Sequence, residues 1–362
     1  MKTYDIPLVP GPVKVPEEYL AAYAVNYGSP DVEEDFFLLL AENQSLLKKI
    51  LKTDCDVVIH SGEGMLSLWG AVKSALSPED RVLVVSNGLF GRGFADMARS
   101  AGASAQVLEA PEGEFIEAGA LKEAIRSFEP HMITAVHCET PSGLLNPIGA
   151  IAPIVKESGA MFVVDFVASA AGADVRTDEW GIDLGLLGSQ KCLSLLPDLS
   201  FTTVSAKAWR AAEKVGYEGY SALNPWRSAI SDRLTPYTHN WHANAALSIA
   251  LKKILSEGLE KSFERHEKAA AYCRGRVRGM GLSLYAKSES LASPTVTAIY
   301  VPEGWTWREL DAALRKRGMA VGGSYGDLAG KVFRIGHMGS QADMELVKAG
   351  LDVLEEVLGT QR

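Results

Sequence analysis

Cysteine is scarce in this chain, and its few copies stand apart. Cys55, Cys138, Cys192 and Cys273 form no CxxC pair. That excludes a disulfide framework or a zinc knot and suits a reducing compartment. Long apolar runs are also missing. No stretch of about 18 uninterrupted apolar residues occurs, so no membrane-spanning helix is expected. Positive charge is in deficit: 36 Lys and Arg face 45 Asp and Glu, a formal net charge of -9. Nucleic acid and anionic membrane surfaces are therefore poor partners, although a small anionic ligand answers to local charge alone. The start, Met-Lys-Thr-Tyr-Asp, lacks the apolar stretch of a secretory signal, and Thr360-Gln361-Arg362 is no peroxisomal address. A cytoplasmic protein is the expectation. There is no internal repeat or low-complexity tract, and the spacing of His60 and His137 supports no metal cluster.

What is present is an ordinary globular composition, 47% hydrophobic and 22% charged over 362 residues. That length suggests one large and one smaller domain. The prolines Pro7, Pro10, Pro12 and Pro16 make the first residues an extended arm, unable to form a helix or a central strand. The arm is expected to lie on a neighbouring subunit or across a site entrance. A stripe of helical period over residues 31–51 follows. Strand patterns then alternate with helical ones. Strands are expected over 57–60, 81–86, 104–109, 132–137 and 161–165, then over 182–187 and 199–205. Short links between them predict a largely parallel sheet covered on both faces. Residues 216–244 show little periodicity and read as a long functional loop. Residues 245–278 read as one long helix leading into a second, small α/β unit, with strands at 295–301 and 332–335.

The strand ends carry the chemistry. Val57 to His60 runs into Ser61-Gly62-Glu63-Gly64 and a helix start. Such a turn is either an anion cradle or merely tight, and Glu63 is an awkward neighbour for a phosphate unless it points away. Phe90, between Gly88 and Gly91, is either a stacking face for a flat ring or plain core. Thr140 sits in another turn of small polar residues after a strand. The buried run Met161 to Val164 delivers Asp165, and the run Ile182 to Leu187 is followed by Gly188-Ser189-Gln190-Lys191. Two such strands present an acid and an amine at one sheet edge, where open α/β sheets bind ligands. Pyridoxal phosphate needs that pair, an amine for a Schiff base and an acid for its ring nitrogen. Arg334, inside the apolar strand Phe333-Arg334-Ile335, is either salt-bridged structure or a fork for a carboxylate.

Together, Pro10-Gly11-Pro12, Ser61-Gly62, Asn87-Gly88-Leu89-Phe90-Gly91, Glu139-Thr140-Pro141-Ser142-Gly143, Val164-Asp165, Gly188-Ser189-Gln190-Lys191 and Arg334-Ile335-Gly336 resemble the class V pyridoxal-phosphate aminotransferases. The likeness is to the alanine–glyoxylate and serine–pyruvate group. The resemblance implies the aspartate aminotransferase-like fold (fold type I): an arm over 1–15, a large cofactor domain over 16–245 and a small C-terminal α/β domain over 246–362. It also implies a transaminase moving an amino group from a small amino acid or amine to glyoxylate or pyruvate by a ping-pong scheme. Lys191 and Asp165 would be catalytic. Ser61, Gly62, Glu63 and Gln190 would hold the phosphate, Phe90 the ring face and Thr140 the ring oxygen. Thr238 and Tyr237 would reach the partner subunit's phosphate in a homodimer, and Arg334 would clamp the substrate carboxylate. The alternative is a C–S lyase of cysteine desulfurase type on the same fold, which would need a Cys on a mobile loop.

Overall fold

The computed structural model describes residues 3–359, so the C-terminal tripeptide lies outside the described residues. Seven strands form the central sheet: β1 (Asp56–Ser61), β2 (Arg81–Ser86), β3 (Ser104–Glu109), β4 (Met132–Val136), β5 (Met161–Asp165), β6 (Leu184–Gly188) and β7 (Leu199–Val204). Their order is β1-β7-β6-β5-β4-β2-β3. β2 through β6 pair in parallel, whereas β7 runs antiparallel between β1 and β6. Every residue of β4 to β7 is buried, as continuous apolar runs in a doubly covered sheet require. Of the three hydroxyls in β7, Thr203 Oγ1 accepts from the Gly185 N–H at 2.8 Å, while Ser200 and Thr202 are buried without a partner among the described residues.

Two apolar cores lie around this sheet and a third fills the C-terminal layer. That layer has a three-stranded sheet, with β10 (Val332–Gly336) between β8 (Val296–Tyr300) and the short β9 (Gly322–Gly323). The arm belongs to this layer as well. Ile6–Pro7 pairs in parallel with Met319–Ala320, and Leu8 is fully buried in the third core. None of the helices among the described residues is long and apolar enough to cross a membrane.

Two sequence expectations are corrected. The long helix over 245–278 is two helices, Trp241–Glu257 and Leu259–Gly279, with Gly258 between them at φ +90°. The loop over 216–244 contains the 3₁₀ turn Asn224–Trp226, the short helix Ala229–Asp232 and the first turn of the Trp241 helix. That helix was hidden because polar residues sit on its buried side. Asn240 caps it through the Ala243 N–H, and buried Asn244 bonds His239 and the Asn43 side chain.

Candidate active site

β5 and β6 are neighbouring parallel strands, so their C-terminal ends open on the same edge. Asp165 is the last residue of β5, and Lys191 follows the end of β6. Both line a cavity of about 310 Å³, within the range of small-molecule sites. Glu63, Phe90, Thr140, Gln190 and Arg334 line the same cavity. Seven of the residues singled out by sequence are thus brought together.

Asp165 is 5% exposed, and its carboxylate accepts from the Val167 N–H at 2.7 Å. Burial pushes its carboxyl up to about 7, against the pull of that N–H and of Lys191. Burial also lowers Lys191 to about 8, helped by the Arg334 charge. Its ammonium donates to the Pro10 carbonyl at 2.6 Å. The arm therefore crosses the site, one of its two expected positions. Gly11 makes that crossing possible: its φ is +85°, and a Cβ there would lie 2.5 Å from Lys191 Cδ.

Arg334 is buried, and its Nε donates to the Gly323 carbonyl at 2.8 Å. Nη2 donates to the same oxygen, and Nη1 to the Thr140 carbonyl at 3.4 Å. The Tyr325 ring lies 4.8 Å from the guanidinium carbon. A guanidinium has five N–H groups; these carbonyls take three and Tyr325 also bonds the group, so at most one N–H on each Nη is left for a carboxylate. No carboxylate of the protein is bonded to Arg334 among the described residues, which answers the alternative of a structural salt bridge.

Ser61, Gly62, Tyr237 and Thr238 do not line this cavity. The Ser61 hydroxyl accepts from the Asn240 N–H at 3.1 Å, and the Gly62 N–H is spent on the Asp198 carbonyl at 2.8 Å. The Gly62 N–H is thus not free for a phosphate, and the Ser61 hydroxyl, 3.3 Å from His239 Nδ1, lies off the cavity lining. Thr238 donates to Asp31 at 3.0 Å, and the Tyr237 ring packs at a tilt against Tyr220, 4.7 Å between centroids, on the surface.

Sequence reasoning passed over two residues. Glu139 is fully buried, and its two oxygens accept the Phe90 and Gly91 N–H groups at 3.0 Å each. It thereby pins the start of the Leu89–Ser100 helix and the placement of Phe90; burial raises its carboxyl to about 7. A carboxylate at a helix start is a readable signal, but this one comes from a distant segment. Tyr325 had no signal beyond the nearby glycines.

Neither cysteine near the lysine is poised as a thiolate. Cys138 lines the cavity, but burial pushes its thiol up to about 11. Cys192 is buried as well and is pushed to about 12. A thiol serves as a nucleophile only as thiolate.

The donor set fits the ring of pyridoxal phosphate: an acid, a lysine of lowered proton affinity, an aromatic face and a hydroxyl around one cavity. Comparison with known proteins agrees. The family described as Aminotransferase class-V matches residues 13–333. An uncharacterized aminotransferase of Methanocaldococcus jannaschii is 35% identical over 347 residues, 94% of this chain and 89% of that protein. The pyridoxamine–pyruvate transaminase of Mesorhizobium japonicum is 33% identical over 357 residues, 96% and 90% of the two chains. The crystal structure of an alanine–glyoxylate aminotransferase from Nostoc sp. superposes with a TM-score of 0.94 at 30% identity, covering 99% of this chain and 96% of that one. This chain therefore belongs to the class V aminotransferases, the pyridoxal-phosphate-dependent transaminases whose α/β fold it shares.

Proposed function

We propose that this chain moves an amino group from a small amino acid or amine to glyoxylate or pyruvate in two half-reactions, using Lys191 and Asp165 as catalytic residues. The observation that carries the reading is the convergence of Asp165, Lys191 and Arg334 on one cavity from two separate sheets. The acceptors are supported by the pyridoxamine–pyruvate and alanine–glyoxylate relatives.

Bound pyridoxal phosphate supplies a ring that draws off the electron pair left at the substrate Cα. Asp165 holds the proton on the ring nitrogen; an opposite charge beside a buried carboxyl favours its ionised form. Phe90 covers one ring face, held there by Glu139. The Thr140 hydroxyl bonds the ring oxygen. Arg334 takes the substrate carboxylate through its remaining N–H groups and thereby orients the Cα–H bond. Lys191 Nζ removes the Cα proton and holds it; a value near 8 suits a base working close to neutral pH.

A homodimer in the cytoplasm completes the reading. Val25, Val32, Tyr220, Leu234 and Tyr237 are large apolar side chains left exposed. Their segments are tied together by Thr235 and Thr238 on Asp31, which supports one shared contact face.

The test is a panel of amino donors offered to the purified enzyme with pyruvate or glyoxylate, read at the visible absorbance of the cofactor. At least one donor should bleach that absorbance, and the oxo acid should restore it. Lys191→Ala should lose the absorbance and the transfer together. A variant that keeps both removes Lys191 from the reaction.

A further inference from the structure

The end of the cavity next to the Gly64–Ala75 helix carries a carboxylate. Glu63 is the N-cap of that helix, lines the cavity and caps no N–H with its side chain. Its Oε2 instead accepts from Gln190 Nε2 at 3.1 Å. That bond fixes the amide, leaving Gln190 Oε1 buried and without a partner. The helix start has no room to withdraw. A Cβ on Gly188 would lie 2.9 Å from Gly64 Cα, so backbone sits on backbone at this point.

The cations lining the cavity are Lys191 and Arg334, and neither is paired with Glu63. Lys191 donates to Pro10, while Arg334 holds Gly323 and faces Tyr325. Among the described residues, Glu63 has no ion-pair partner. A helix N-terminus normally welcomes an anion, but here the chain already sets its own carboxylate at that point.

The donor and acceptor count points the same way. A phosphate dianion only accepts hydrogen bonds; the Glu63 carboxylate and the free Gln190 oxygen offer it none, and the second Nε2 hydrogen of Gln190 is the one side-chain donor these two residues leave. A hydroxyl can donate to either acceptor. Resting on the amino-transfer reading, we propose that the site accepts an unphosphorylated pyridoxamine-type ring as a dissociable substrate. Glu63 receives its 5′-hydroxyl and weakens the grip on the phosphorylated ring. The exchange balances without an outside redox partner. The C4′–N bond of the amine is broken and C4′ becomes an aldehyde, oxidised by two electrons. C2 of the 2-oxo acid exchanges its oxygen for that nitrogen, gains hydrogen and is reduced by two electrons.

The test is direct binding to cofactor-free enzyme. Pyridoxal and pyridoxal phosphate are titrated separately into wild type, Glu63→Gln and Glu63→Ala, and each Kd is read from the absorbance change. Wild type should hold the two rings within about tenfold of each other, or favour pyridoxal. Either variant should move the ratio at least tenfold toward the phosphate form. Wild type should also release pyridoxal from pyridoxamine and pyruvate with no phosphorylated ring added. If wild type binds the phosphate form more than a thousandfold tighter and neither variant moves the ratio, the inference is overturned and amino transfer with amino acids still stands. If neither ring binds, the amino-transfer reading falls with it.

Discussion

Asp165 offers a quantitative check on the site that needs no substrate. In the cofactor-free chain its carboxyl is raised from 3.8 to about 7, chiefly by burial. Below pH 4 both the folded and unfolded chains are protonated at this group, and it costs nothing. Between pH 4 and 7 the unfolded chain sheds the proton while the folded chain keeps it. Folding stability therefore falls by about 1.4 kcal/mol per pH unit across that window. Above pH 7 both states are ionised and the loss levels off, at roughly 4 kcal/mol in all. Asp165→Asn abolishes this titration and keeps an oxygen for the Val167 N–H. Urea unfolding of both cofactor-free proteins, repeated from pH 4 to 8, isolates the effect. The stability of the variant minus that of wild type should climb by roughly 4 kcal/mol up to pH 7 and then run level. Subtraction cancels the titrating groups that do not feel Asp165; Glu139 and Lys191, which do, add a smaller change of their own. A difference that stays flat with pH would mean that Asp165 ionises freely in the folded chain, and the description of a dry acid at the strand end would be wrong.

Two further outcomes are expected. Arg334→Ala should raise KM for amino acid and oxo acid by about 100-fold, the worth of a charged two-point contact, while cofactor absorbance persists; an unchanged KM removes Arg334 from substrate binding. Sedimentation at micromolar concentration should give twice the chain mass of 38.9 kDa, and a monomer would free Tyr237 and Thr238 from any part in a second subunit's site.

Much of the sheet was legible because its strands are fully buried apolar runs that end in turn residues. Asp165 and Lys191 were legible for the same reason, since a polar group just past such a run has nowhere to go but the sheet edge. Sequence alone did not place the antiparallel β7 between β1 and β6, because strand order depends on pairing across the whole domain. The break at Gly258 was invisible in a stretch whose flanks are both helical. Glu139 was unreadable as a clamp on Phe90, since the two residues meet only through folding. The Ser61 turn resembles a cradle, but sequence could not show that its hydroxyl receives the Asn240 N–H from a segment about 180 residues away.

The arm has a mechanical consequence. It is stitched to the C-terminal layer by Leu8, whose N–H reaches Ala320 and whose carbonyl receives the Gly336 N–H, both at 2.8 Å. Gln341 grips it again at the Val9 carbonyl, at 2.7 Å. At the next residue the same strip of backbone bears on the reactive amine through Pro10. The arm is thus a lever with one end fastened to the C-terminal sheet and the other resting on Lys191, so a shift of that sheet is felt at the amine without any side chain having to relay it.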